Sequence, residues 1–136
     1  MDRDKHITMQ WSNINPQLYD QFAVIDSKMF TSYGVQYDYA SIMHYNAYSG
    51  ALDSKRPTMV PKVDPERNLP LLGQRKAMSN ADVEILNKMY CLPAGCDDTN
   101  IYCGAWALKD YCRHPNHYGW MVRNCRKSCN FCNTKR

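Results

Sequence analysis

Near the start of the chain apolar side chains alternate at Ile7, Met9 and Trp11, a period of two that predicts a short strand with one buried face. Asn15-Pro16 follows, joining a good capping residue to one suited to the first helical position. Leu18 and Phe22, four apart, then predict a short amphipathic helical segment. From Asp26 to Gln36 the pattern gives way to polar residues around Gly34 and reads as loop. Asn46 to Asp53 is turn-rich, and Arg56 to Pro61 is extended, its two prolines excluding it from a central strand. Asp64 to Leu72 reads as an irregular connection. The clearest helix begins at Ser79, where Ser79-Asn80-Ala81-Asp82 is a capping-box-like start. Val83, Leu86 and Tyr90, with Met89 beside them, predict its buried stripe. Leu92-Pro93-Ala94-Gly95 stops that helix and makes a short linker.

With 136 residues there is room for one ordinary domain or two small ones. No stretch reaches the run of about 18 apolar residues that a membrane span needs, and no transmembrane segment is expected. Seven cysteines are present, six of them between Cys96 and Cys132, a density that belongs to an oxidising, extracellular setting. The N-terminus carries no basic stretch followed by an apolar one. Disulfides without a visible export signal lead to the expectation that the chain lacks its beginning. The segment from Cys96 to Cys132 is too short to bury a self-sufficient core and needs covalent staples, although spacing alone selects no pairing.

The net charge of +4 is unevenly placed: residues 1–95 hold 10 Lys/Arg and 10 Asp/Glu, residues 96–136 hold 7 and 3. A basic face suits anionic surfaces or acidic partners, but small cysteine-rich modules are often basic and no nucleic-acid partner is expected.

Chemistry concentrates in Tyr37-Asp38-Tyr39-Ala40-Ser41-Ile42-Met43-His44-Tyr45, too polar for a strand core and rich in aromatic hydroxyls. The plain reading is a tyrosine-rich turn whose rings cover a small core; the other is the wall of a site. Tyr-Asp-Tyr followed by Ser41-x-Met43-His44-Tyr45 resembles the Met-turn of the astacin family of zinc metalloendopeptidases, a metzincin group. That resemblance implies that Met43 lies beneath the metal. It implies that Tyr45 serves as an extra zinc ligand and as a stabiliser of the oxyanion formed during peptide hydrolysis. Ser41 and His44 complete the turn. A soft, unbranched Met suits packing under a site, and a phenol supplies a donor where negative charge develops.

Further matches keep the family's order. Asp2-Arg3-Asp4, an extended segment and Trp11 resemble the stretch just after the third zinc histidine, with His6 standing where relatives place an aromatic residue, read as a surface change. Met78 to Cys91 resembles the closing helix, whose terminal cysteine in the family bridges to the N-terminal lobe; Cys91 is therefore expected to be unpaired here. The zinc helix itself, His-Glu-x-x-His-x-x-Gly-x-x-His, has no counterpart: the only histidines are His6, His44, His114 and His117. Zinc is the cofactor the resemblance implies for the full-length enzyme, and tight binding to this chain is not expected.

The six clustered cysteines, with Cys96-Asp97-Asp98 and Cys125-Arg126-Lys127-Ser128-Cys129-Asn130-Phe131-Cys132, resemble the ShKT module. This implies bridges Cys96–Cys132, Cys103–Cys125 and Cys112–Cys129, and an internal ion pair between Asp98 and Lys127. The Lys-Tyr pair of the channel-blocking toxins falls at Gly119-Trp120, so the plugging cation is missing.

The expected fold is α+β and largely irregular: the C-terminal lobe of an astacin domain (1–91), a linker (92–95), a ShKT domain of short helices (96–132) and a tail (133–136). The expected function is that of the C-terminal part of a secreted astacin-type zinc metalloendopeptidase acting on protein or peptide substrates. The alternative is a non-catalytic secreted protein or pseudo-protease fragment whose ShKT module binds an extracellular protein, matrix or channel partner.

Overall fold

A computed structural model describes residues 2–25, 31–93 and 95–132. The first part of the loop expected over 26–36, Ala94 of the linker and the tail 133–136 lie outside the described residues. The fold is mixed helix and strand with much irregular chain, and its contacts divide it into two units: Met1–Val24 with Tyr37–Asp82, and Ile25–Gln36 with Val83–Arg136.

In the first unit α1 (Arg3–His6) leads into β1 (Ile7–Met9), which pairs antiparallel with β2 (Met59–Pro61) in the register Ile7–Pro61, Thr8–Val60, Met9–Met59. Side chains of Ile7 and Met59 reach the same face of this ribbon and bury with Ala47 and Leu72; Met9, Phe22, Tyr37, Tyr39 and Leu69 pack around them. A core this small leaves much of the organisation to hydrogen bonds. Buried Asn13 donates through Nδ2 to the carbonyls of Asp53 and Arg56, and its Oδ1 accepts from the Asp53 amide. Thr58 Oγ1 donates to the carbonyls of Ala47 and Ser49. Together these polar staples pin the turn-rich segment between Asn46 and Arg56. Gly73 has φ +80, and a Cβ there would meet the Asn46 backbone at 2.5 Å, so both handedness and space require glycine.

Asn15 caps a 3-10 stretch from Pro16 to Phe22 by accepting from the Gln17 amide. Three departures from the sequence reading appear in this unit. The strand ends at Met9, because residues Trp11–Asn13 turn in a 3-10 conformation that leaves the indole of Trp11 exposed. The stretch from Asp64 to Leu72 is not irregular: it holds α2 (Pro65–Asn68) and a 3-10 turn (Leu69–Leu71). Asp64, at φ 40, caps α2 and Pro65 takes its first position, the same device as Asn15-Pro16. The third departure concerns His6, which is no mere surface change: its ring stacks on Tyr37 at 4.6 Å and 11°.

The second unit holds α3 (Asn80–Tyr90) beyond Asp82, α4 (Cys103–Ala107) and α5 (Pro115–Asn124). Pro115 starts α5 with His114 as its cap, the imidazole accepting from the Asn116 amide. Three disulfides join Cys96 to Cys132, Cys103 to Cys125 and Cys112 to Cys129. Cys103, Cys125 and Met121 are buried at its centre, with Trp106 and Tyr111 packed against them. Gly104 permits close packing: a Cβ there would stand 2.6 Å from Thr31 Oγ1. The ion pair also differs from the sequence reading, since Lys127 reaches Asp97 at 3.2 Å. Asp98 instead accepts from Ser128, at 3.0 Å from its amide and 2.6 Å from its hydroxyl.

The stripe expected on α3 is inverted. Val83, Leu86 and Met89 are 44%, 42% and 42% exposed and Tyr90 more so, whereas Asp82 and Lys88 are buried. Hydrogen bonding decides this. Lys88 donates to the Tyr33 carbonyl and pairs with Glu84, both at 2.8 Å, and Asp82 accepts from Ser41, Ile42 and Ser79. A buried charge persists only where such partners meet it.

Closed loops restrict the unfolded chain in proportion to the logarithm of their length. Cys96 and Cys132 are 36 apart in sequence and Cys112 and Cys129 are 17 apart. Replacing the first pair by serine is expected to lower unfolding free energy by about 4 kcal/mol and the second by about 3 kcal/mol, read from urea titrations of near-ultraviolet circular dichroism.

Candidate functional site

The turn from Tyr37 to Tyr45 is built from short polar side chains that bond the backbone nearby. Asp38 Oδ1 accepts from the Ala40 amide at 2.9 Å, and the Ser41 and His44 amides donate to the carbonyls of Asp38 and Ser41. Ser41 Oγ accepts from the Met43 amide at 3.1 Å and donates to Asp82 Oδ1 at 2.5 Å. Asp82 Oδ2 also accepts from the amides of Ile42 and Ser79, while Ser79 Oγ accepts from the Asp82 amide and so closes the capping box. Burial pushes the Asp82 carboxyl up, but the bonds from Ser41, Ile42 and Ser79 outweigh it and hold the group below its ordinary range.

Aromatic rings form the other side. Tyr37 lies between His6, stacked on it, and Tyr39 and His44, both edge-on. Its hydroxyl is 2.7 Å from His44 Nε2, and His44 Nδ1 is 2.7 Å from the Tyr45 carbonyl. Tyr39 donates to the His6 carbonyl, tying the turn to α1. Desolvation raises the Tyr37 pKa to about 12, with Tyr39 and then Asp2 adding to the effect.

Of the residues singled out from sequence, Ser41, Met43, His44 and Tyr45 therefore share one turn. Ser41 and His44 face inward to partners, while Met43 and Tyr45 are 82% and 67% exposed. Cys91 is exposed and makes no disulfide. Residues that sequence reasoning did not place here include Asp82, Gln74, which donates to the Ala40 carbonyl at 2.6 Å, and Arg75, which donates to the His44 carbonyl at 3.0 Å. Asp82 was legible only as a helix-start residue, and nothing in its spacing from Ser41 announces their contact.

The described residues around this turn do not offer a set of side chains that fits a zinc ion. Among the described residues no three or more of His, Cys, Asp and Glu are grouped to hold a metal. Both ring nitrogens of His44 already face oxygens of Tyr37 and Tyr45.

Comparison with known proteins places these features in a family. The model of the Astacin peptidase family matches residues 1–91, and that of the ShK domain-like family matches residues 95–132. Zinc metalloproteinase nas-10 of Caenorhabditis elegans is 69% identical over 97% of this chain and 24% of its own length. Zinc metalloproteinase nas-11 of the same organism is 59% identical over 96% and 22%. The chain thus spans about a quarter of the length of these relatives. Among solved structures, high choriolytic enzyme 1, a hatching enzyme zinc-protease from Oryzias latipes, aligns with a TM-score of 0.58 and 31% identity, covering 66% of this chain and 42% of that one.

Tyr37 generates a pH dependence with a definite sign. Above the ordinary phenol pKa of about 10 the unfolded chain loses this proton while the fold keeps it. Stability is therefore expected to be level below pH 10 as far as Tyr37 is concerned, and to fall between about 10 and about 12. Tyr37→Phe should remove this part of the alkaline decline, checked by chemical denaturation across that range.

Proposed function

The chain belongs to the astacin family through residues 1–91, and on that premise we propose that it is the C-terminal part of a secreted zinc metalloendopeptidase that also carries a ShK-like module. The family is zinc-dependent, and its metal, when bound, supplies a Lewis acid and an activated water for peptide-bond hydrolysis. The observation that carries the reading is a hydrogen-bonded turn on which the side chains of Met43 and Tyr45 are both exposed. We assign Tyr45 the role of oxyanion donor: its phenol O–H would donate to the negative charge that develops on the scissile carbonyl oxygen. Such donors are worth about 3–4 kcal/mol of barrier. Met43 would form the floor beside it.

These 136 residues contain no His-Glu-x-x-His string, so neither the ligand set nor the general base lies within them. Tyr45 cannot replace either, and the chain by itself is proposed to be inactive and to bind zinc weakly. Its six cysteines in three bridges support an extracellular location.

A second reading, a non-catalytic secreted protein that docks through its ShK-like module, is favoured by the exposed indole of Trp120. It stands edge-on to Trp106 at 5.2 Å, and the residue before it is Gly119, not a pore-plugging lysine. The module is accordingly assigned a docking surface for an extracellular protein or matrix partner.

The purified chain incubated with zinc and casein is expected to give no cleavage; hydrolysis that a chelator abolishes would overturn the assignment. Sequencing the transcript upstream of Met1 separates the two readings. An in-frame His-Glu-x-x-His supports the catalytic one, and a start codon preceded by stops supports the docking one.

A further inference from the structure

Asp82 does more than a capping box requires. The box uses one acceptor, the Oδ2 that receives the Ser79 amide at 3.0 Å. The remaining capacity of the carboxylate is spent outside the helix, on Ser41 Oγ at 2.5 Å and the Ile42 amide at 2.9 Å. Because Ser41 Oγ in turn accepts from the Met43 amide, a chain of polarised hydrogen bonds runs from the backbone at Met43 through the hydroxyl to a buried carboxylate. Two neighbours brace the same turn: Gln74 Nε2 donates to the Ala40 carbonyl at 2.6 Å, and Arg75 to that of His44. The backbone from Ala40 to His44 is thus held at four groups, the carbonyls of Ala40 and His44 and the amides of Ile42 and Met43, while the side chains of Met43 and Tyr45 stay in the open. A side chain serving stability alone would be the buried part; here the backbone is fixed and the side chains are presented.

We propose that Asp82 is the positioning residue of this turn, holding the backbone in the attitude from which Tyr45 acts. The proposal rests on the reading of Tyr45 as oxyanion donor, but its geometry does not. Choice of residue fits the double duty. Glutamate is the usual third member of a capping box, yet its extra methylene would carry the carboxylate past the donors on Ser41 and Ile42. Burial would raise this acid's pKa, and the donors, Ser41 foremost, reverse the sign.

Amide hydrogen exchange by NMR on the 136-residue chain tests this without any need for activity. In Asp82→Asn the amides of Met43 and His44, neither bonded to Asp82 itself, are expected to exchange about tenfold to a hundredfold faster, as befits loss of a charge-assisted bond. Ser41→Ala should speed His44 likewise and leave the first turn of α3 protected. Ser79→Ala should do the reverse, loosening the helix start only. Asp82→Glu should keep the cap but leave Met43 and His44 fast. Unchanged exchange at these amides in both Asp82→Asn and Ser41→Ala, or an equal effect of Ser79→Ala, would overturn the proposal. Should Asp82→Asn fail to fold, Ser41→Ala decides alone. In a catalytically complete protein the same two variants are expected to lower kcat with KM unchanged. An inactive wild type there would sink the protease reading and leave the exchange result standing.

Discussion

The carboxylate of Asp82 accepts from a hydroxyl and from amides of two separate stretches of chain, and the placing of the Met43–Tyr45 turn against the start of α3 depends on that sharing. An acid only 8% exposed would ordinarily favour its neutral form. Here the donors compensate for lost water, and the group stays below its usual range. One short side chain therefore ties the start of α3 to a turn about forty residues earlier in sequence, a closure that local propensity cannot supply. Removing the acid would leave Ser41, Ile42 and Ser79 short of an acceptor together, which is why the three contacts act as a unit.

The two units solve the same problem of a small core by different means. In the second, three disulfides and the buried pair of Cys103 and Cys125 around Met121 replace the apolar area that a short segment cannot provide. In the first, no cysteine is present, and an apolar cluster of only four buried residues is supplemented by Asn13, Thr58 and Asp82, polar side chains that each satisfy several backbone or hydroxyl groups. Buried polar groups of this kind stabilise only when fully partnered, and here they fix loop geometry, which apolar contacts specify poorly.

Exposure of apolar residues follows from the same economy. Val83, Leu86 and Met89 on α3, together with Trp11, Met43 and Tyr45, lie open to solvent although the sequence pattern marks several of them as inward-facing. The relatives are about four times longer than this chain, and the family's peptidase activity belongs to such whole proteins. Within these residues a methionine and a phenol are exposed on a turn held by hydrogen bonds.

Sequence alone was sufficient for the features that depend on neighbours in the chain. Asn15-Pro16 and Ser79 to Asp82 announce helix starts because capping is local. The Tyr37–Tyr45 motif, the Met78–Cys91 helix and the cysteine spacing carry the resemblance to the astacin and ShK-like families that the comparisons establish. Tertiary structure decided the rest. It set which face of α3 is buried, since hydrogen-bond partners at Tyr33 and Ser41 outweigh the apolar period. It gave Lys127 to Asp97 and freed Asp98 for Ser128. It brought His6 onto Tyr37 and Asp82 onto Ser41. Each of these is a contact between residues far apart in the chain, whose closure depends on the path of everything between them, and a one-dimensional pattern carries no record of that path.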